Sequence, residues 1–211
     1  MSCPQRISDE SGLALNSALS IFTVPPTNVS VARSFFTELL PLSAVFDQNA
    51  PLQFRLYNDN LWTDMSRIYL FLELRLEKEA GGQWVPIAVD DNEVGPIQSI
   101  GQTFVQQLKV QIGNTDIYDS GTLYPYRVYL TNELSYPKCV KKNFLSSIGY
   151  RYSKQHDAAD DEGFKQRCEM FKAGRISQFM SRLDFDIGNQ ELYLLNNIDV
   201  LFTLYRASEN S

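Results

Sequence analysis

Histidine is almost missing from this chain: of its 211 residues, only His156 is one. A two- or three-histidine metal centre, as a cupin-like β enzyme needs, therefore cannot be built. Cysteine is scarce too. Cys3, Cys139 and Cys168 are widely spaced, with no CxxC or CxH pair, which removes the usual zinc-ligand spacings and fits a reducing compartment. Basic residues are outnumbered, with 19 Lys and Arg against 25 Asp and Glu, giving a formal net charge of −6. Nucleic-acid binders need a surplus of cations on one face, so no specific nucleic-acid partner is expected. No apolar run approaches the ~20 residues that cross a bilayer. The start, MSCPQRISDESG, lacks an apolar stretch behind a basic region, so it is no secretory signal. The expectation is a soluble protein synthesised inside the cell and not secreted, with no membrane partner and an unmodified Asn28-Val29-Ser30 sequon.

Aromatic residues are plentiful, with 13 Phe, 11 Tyr and 2 Trp, a bias that suits half-buried strands. Residues 1–20 are small and polar and read as a flexible N-terminal arm. From Ile21 the chain looks extended, because Pro25-Pro26 blocks helix. Residues 21–211 are then expected to form one domain.

Alternation at period two marks the strands. Leu52, Phe54 and Leu56 alternate with polar neighbours. In RIYLFLELRLE, Ile68, Leu70, Leu72, Leu74 and Leu76 share one face. The other face runs from Tyr69 and Phe71 to Glu73, Arg75 and Glu77, so the aromatic end is expected to be covered on both sides. Trp84–Val89 follows a Gly81-Gly82 turn. Phe104–Ile112 and Thr115–Asp119 flank Gly113-Asn114, which suits a type II′ hairpin. Leu183, Phe185 and Ile187 alternate, as do Ile198, Val200, Phe202 and Leu204.

The middle of the chain is different. Leu123, Tyr126 or Arg127, Leu130 and Leu134 fall on one helical stripe, with Thr122 as the cap, Pro125 in the first turn and Pro137 at the stop. A short helix is expected from Lys138 to about Ser146. Residues 153–174 read as a polar surface excursion, helical near Glu162–Phe171. The fold class is thus all-β with a helical insertion at about 122–174: an antiparallel jelly-roll sandwich of about eight strands, with the insertion between the fifth and sixth.

Catalytic constellations are hard to find. No G-x-S-x-G, Walker, GxGxxG or HExxH motif occurs. His156 in SKQHDAADDEG reads as an exposed loop residue. Asp157, Asp160, Asp161 and Glu162 lack the alternate-residue spacing of an EF-hand loop and read as a solvated charge run. Asp184 and Asp186 sit one strand step apart, as ordinary outward-facing carboxylates or a glycosidase-like pair. The cluster Lys138, Lys141 and Lys142 reads as a solvated helix face. The tyrosines of YPYRVYL could stack on bases or sugars, but on a helix closing a sandwich they are expected to pack. No catalytic residue, cofactor or metal is assigned.

Specific residues do carry a resemblance. YPYRVYLTNELSYPKCVKKNFLSSIGYRYS resembles the helical insertion in the first jelly roll of major capsid proteins of Maverick/Polinton transposable elements and related viruses. There a Y-x-Y-x-x-Y-L stretch precedes LSY, a basic run and an L-x-x-x-x-Y tail. LDFDIGNQELYLLNNIDVLFTLYRAS looks like the closing strands of that domain, with Leu194, Leu195, Asn196, Asn197, Ile198 and Asp199 at the turn and Arg206 at the end. IFTVPPTNVSV, PLQFRL and RIYLFLEL look like its start. The likeness spans most of the chain from Ile21.

That resemblance implies a viral structural protein without catalytic residues, part of a double jelly-roll capsid protein in the virion. Its partners would be copies of itself in a trimeric capsomer and other capsid proteins. The chain corresponds to one of the two jelly rolls, as an excised first domain or a shortened copy. Self-assembly is expected to use the surface around Tyr124–Tyr136 and the final strand, with Tyr124, Tyr126, Tyr129 and Tyr136 as interface residues. The alternative is a monomeric β-sandwich binding module, a host-retained relic that takes a carbohydrate or protein ligand through exposed tyrosines or through Trp62 and Trp84. A metal-dependent cupin-like enzyme is disfavoured by the single histidine.

Overall fold

The last strand of the chain lies inside its main sheet. The computed structural model describes residues 33–43, 50–153, 161–190 and 192–207. The expected N-terminal arm and the extended segment after Ile21, as far as residue 32, fall outside them, as do Cys3, His156, Asp157 and Asp160. The chain divides into two units, Met1–Glu38 and Leu39–Ser211. In the first, residues 33–38 have no regular secondary structure, and the Arg33 guanidinium lies 5.6 Å from the centre of the Phe35 ring. Everything below concerns the second unit.

Its elements in chain order are β1 (Leu52–Tyr57), β2 (Tyr69–Leu74), β3 (Glu77–Ala80), β4 (Gln83–Pro86), α1 (Ile100–Thr103), β5 (Val105–Ile112) and β6 (Thr115–Asp119). Then follow α2 (Tyr124–Ser135), α3 (Lys138–Asn143), α4 (Glu162–Glu169), β7 (Ser177–Arg182) and β8 (Asp199–Arg206). Four strands form a sheet in the order β1-β8-β5-β6, while β2 pairs with β7 and β3 with β4. Every pairing is antiparallel. First with last and second with second-last is the nested pairing of a jelly roll. β3–β4 and β5–β6 close instead as local hairpins. The expected class, an antiparallel mostly-β sandwich with helical insertions, is the one observed.

Alternation explains most strands. Val200, Phe202 and Leu204 of β8, Leu108 and Val110 of β5, and Leu70 and Leu72 of β2 all enter one buried core, joined by Tyr124, Val128, Phe171, Phe179 and Phe185. The ring of Phe185 packs 6.2 Å from Tyr118 and 6.0 Å from Phe202, centre to centre. Gly113 turns the β5–β6 hairpin at φ +58°, with Asn114 outside the left-handed region, as a type II′ turn requires. At Gly101 a Cβ would lie 2.9 Å from the Cβ of Phe179, so only glycine lets α1 reach β7.

Several expectations need correction. RIYLFLELRLE holds β2 and only the first residue of β3, an additional strand, so the helical insertion falls between β6 and β7 rather than between the fifth and sixth. The segment Leu183–Ile187 is not a strand, and a 3-10 turn takes Ile187–Asn189. The strand lies one step earlier, as β7, where buried Ser181 donates its hydroxyl to the Gly101 carbonyl at 2.8 Å. A serine on the inward face hid the alternation. Thr122 does not cap α2: the cap position is Leu123, without a side-chain bond. Residues 161–174 are no surface excursion, because Arg167, Cys168, Phe171 and Lys172 are buried. Tyr69 and Phe71 are exposed on the outer face of β2 rather than covered.

Phe185→Ala is expected to cost about 3–5 kcal/mol, since it removes a fully buried ring between two others. Trp84→Ala, at an exposed site, should stay within about 0.5 kcal/mol of the parent. Urea unfolding followed by fluorescence compares them, and equal losses would contradict this core.

Candidate functional site

Helix α2 carries apolar residues on its outer side as well as on its inner one. Pro125 lies in the first turn, where a missing N–H costs nothing. The face turned inward carries Tyr124, Val128 and Asn132, all buried and spaced by four residues so that they stack on one side. The Tyr124 hydroxyl accepts from the Asp184 N–H at 3.1 Å, and burial pushes this phenol's pKa up. Asn132 donates to Gln102 Oε1 at 2.7 Å. Gln102 in turn donates to the Arg182 carbonyl of β7 at 3.1 Å. A polar relay thus ties the helix through α1 to the sheet edge.

Arg127 adds a clamp. Its Nη1 donates to the Tyr118 hydroxyl at 3.0 Å, its Nη2 to Asp186 at 2.8 Å and its Nε to Asp184 at 3.3 Å. Lys141 Nζ closes the far end, donating to the Glu133 carbonyl at 2.7 Å and to its carboxylate at 2.5 Å. The helix is therefore held rigidly by polar bonds on its inner side and flanks.

Its outer side is apolar. Leu123 is 64% exposed, Tyr126 68%, Leu130 54% and Leu134 83%. At about 100° per residue these four lie within one quadrant, nearly opposite Val128. Three leucines and a tyrosine facing water on a fixed helix are unusual, since contiguous exposed apolar surface marks interaction sites. Phe144, just beyond α3, is exposed as well.

The expected interface tyrosines separate. Tyr126 lies in the exposed stripe, and Tyr129 and Tyr136 are each 36% exposed. Tyr124 is wholly buried and belongs to the core, so it is removed from any docking surface. The helical stripe read from the sequence is real, but it is the outer face. Its spacing was legible, whereas its direction depended on Asn132 and Arg127 finding partners inside.

Other candidates have structural roles. Asp184 and Asp186 do not share a strand face; both hold Arg127. The cleft of about 420 Å3 beside them is lined by Tyr118, Asp119, Leu123, Arg127 and Asp186. Its charged groups are all engaged, since Asp119 pairs with Lys109. Lys138 and Lys142 lie 5.0 and 5.3 Å from the centre of the Tyr152 ring, while Lys141 is largely covered, so the basic cluster is not a simple solvated face. Cys139 is exposed and Cys168 buried, and neither forms a disulfide. Among the described residues no group of three or more His, Cys, Asp or Glu is placed to hold a metal.

Asp161 caps α4, accepting from the Gly163 N–H at 2.9 Å. Desolvation raises its pKa, but bonds from Ser153, Gly163 and Phe164 and the charge of Arg167 outweigh that and hold it below the ordinary value. Asp161→Ala is expected to lower stability by about 0.5–2 kcal/mol at pH 7. A depressed carboxylate contributes fully above the unfolded-state value of about 3.9 and loses that contribution as pH falls through the folded-state value. The deficit should therefore shrink in acid. Denaturant midpoints of both proteins from pH 7 to pH 3 test this, and a constant gap would contradict the capping role.

No protein-family model matches the chain, and no curated protein matches it either.

Proposed function

We propose that this chain is a structural protein, the first jelly roll of a double jelly-roll major capsid protein of the Maverick/Polinton type. On this reading it associates with copies of itself into capsomers of an icosahedral shell. The observation that carries the reading is the apolar outer stripe of α2. A rigid helix that exposes Leu123, Tyr126, Leu130 and Leu134 is built to be covered, and a subunit contact covers it. The nested jelly-roll pairing and the sequence resemblance support the same conclusion.

Magnitudes limit what the stripe does alone. Fully burying a side chain of this kind contributes about 1.5–3 kcal/mol, so four contribute roughly 6–12 kcal/mol. Association costs about 4–15 kcal/mol in lost freedom. One such contact is weak and reversible by itself, as shell subunits require, and a closed assembly gains its strength from several contacts at once.

A second reading has its own observation. Trp62 and Trp84 are both exposed, as in a monomeric sandwich that stacks sugars or grips a protein ligand. They lie on different elements, Trp84 on β4 and Trp62 beside the Thr63–Leu194 bridge.

The double variant Leu130→Glu, Leu134→Glu is expected to keep its circular dichroism spectrum and urea midpoint while its self-association weakens at least tenfold. Sedimentation velocity over a concentration series measures the effect. Unchanged association in a folded variant would overturn the α2 contact. A parent protein that stays monomeric and binds glycans on an array would replace the capsid reading with the binding-module one.

A further inference from the structure

The Lys172 ammonium is buried against two chemically different acceptors. Its side chain is only 8% exposed. Nζ donates to the carboxamide Oδ1 of Asn92 at 2.6 Å and to the Glu169 carboxylate at 2.5 Å. An amine, a carboxamide and a carboxylate in mutual contact supply a nucleophile, an acyl group whose leaving group is ammonia, and a proton carrier. An ion pair alone would account for Glu169; the carboxamide is what makes the contact reactive. Its carbon lies one C=O bond, about 1.2 Å, behind the oxygen that Nζ already touches.

Neighbouring contacts hold the three groups in place. The far end of the Asn92 carboxamide is fixed, where Nδ2 donates to the Asp90 carbonyl at 3.3 Å. The segment from Asn92 to Pro96 lies against α4. Arg167 donates to the Pro96 carbonyl at 3.0 Å, and the Cys168 thiol lies 3.8 Å from the Asn92 carbonyl. A Cβ on Gly95 would come 2.5 Å from the Cys168 sulfur, so only glycine permits this approach. Beyond Lys172, Ala173 takes φ +59° while its N–H donates to the Ile87 carbonyl at 2.9 Å. Lys172 therefore sits on an anchored turn, facing a residue 80 positions away in sequence. Attack of an amine on a carboxamide is slow in water. Held geometry of this kind corresponds to effective molarities of about 10⁵–10⁸ M, and a placed proton carrier adds about 10²–10⁴-fold.

We propose that Lys172 and Asn92 join in an intramolecular isopeptide bond, with Glu169 carrying the protons. Glu169 takes one proton from the ammonium and frees the Nζ lone pair. That pair forms the new bond to Asn92 Cγ, while the carbonyl π pair moves to Oδ1. Glu169 returns its proton to the departing nitrogen and takes the second proton from Nζ. The oxygen pair re-forms the carbonyl, the Cγ–Nδ2 bond breaks with its electrons, and ammonia leaves, taking the proton from Glu169 as ammonium. One C–N bond forms and one breaks, nothing is oxidised, and no co-reactant enters. The Glu169 side chain is 62% exposed, which gives ammonia an exit, and its loss to solvent draws the exchange toward the bond. The product ties the segment before α1 covalently to the turn after α4. It forms within one chain and does not depend on the capsid reading.

Mass spectrometry of the 211-residue chain tests the bond directly. After overnight incubation the intact protein is expected to be lighter than its sequence by the mass of one ammonia. Trypsin should then release residues 79–109 joined to residues 168–175, with cleavage after Lys172 blocked. Lys172→Arg keeps a cation for Asn92 and Glu169, and with an unchanged circular dichroism spectrum it should show the full sequence mass. Asn92→Ala should do the same. Glu169→Ala should slow the mass loss by about 100-fold or more. A parent protein at full mass with separate tryptic peptides would overturn the proposal. So would an ammonia loss that persists in Lys172→Arg, because that loss would come from asparagine cyclisation rather than from the lysine. Bond formation in Glu169→Ala at the parent rate would remove Glu169 from the reaction and overturn the mechanism.

Discussion

The pairing of β8 between β1 and β5 is the contact on which the rest depends. It joins Leu52 to Leu204 and Val110 to Phe202, closing a loop that holds nearly the whole second unit. Val200, Phe202 and Leu204 are almost wholly buried, so the last strand supplies the centre of the core. Such long-range pairing carries a large loop-closure cost before any contact offsets it. Once β8 is in place, β2 and β7 are brought together by the same nesting, and the helices are left at the sandwich's margin.

The insertion between β6 and β7 is attached by polar bonds as well as by Tyr124, Val128 and Phe171 in the core. Asn132, Gln102 and the Arg182 carbonyl form one chain of donors and acceptors, and Arg127 spans Tyr118, Asp184 and Asp186. Buried polar groups of this sort are costly unless satisfied, so these bonds hold the helix in a single orientation. With Tyr124, Val128 and Asn132 held inward, α2 turns its leucines out. Helix α4 follows the same logic. Arg167 donates to the Pro96 carbonyl at 3.0 Å and to Gln98 at 2.9 Å, and Lys172 donates to Asn92 at 2.6 Å. Charged residues that would ordinarily mark a surface are what dock this segment.

Among the described residues, the α2 stripe is a patch of apolar side chains on a fixed rod, with Leu123, Tyr126, Leu130 and Leu134 all exposed. Contiguous exposed apolar surface of this kind marks interaction sites.

Strand alternation was written plainly in Leu52–Leu56, Ile68–Leu76, Leu108–Ile112 and Ile198–Leu204, and so were the Gly113-Asn114 hairpin and the helices at Tyr124 and Lys138. These follow from local period and turn chemistry, which a single segment carries by itself. β7 was missed because Ser181 faces inward, and a polar inward residue breaks the pattern from which strands are read. The exposed stripe of α2 was visible as a stripe, but a helical period does not say which side is buried. Tyr124 and Tyr126 look alike in sequence. One is core and the other surface because Asp184, Gln102 and Tyr118 arrive from distant parts of the chain to bond one side of the helix. The sequence by itself determined most of the strands and helices, though not β7, and that they fold as an antiparallel β-rich domain. Only the tertiary structure decided which faces are buried and which exposed, because burial is a property of the neighbours a residue meets and not of the residue alone.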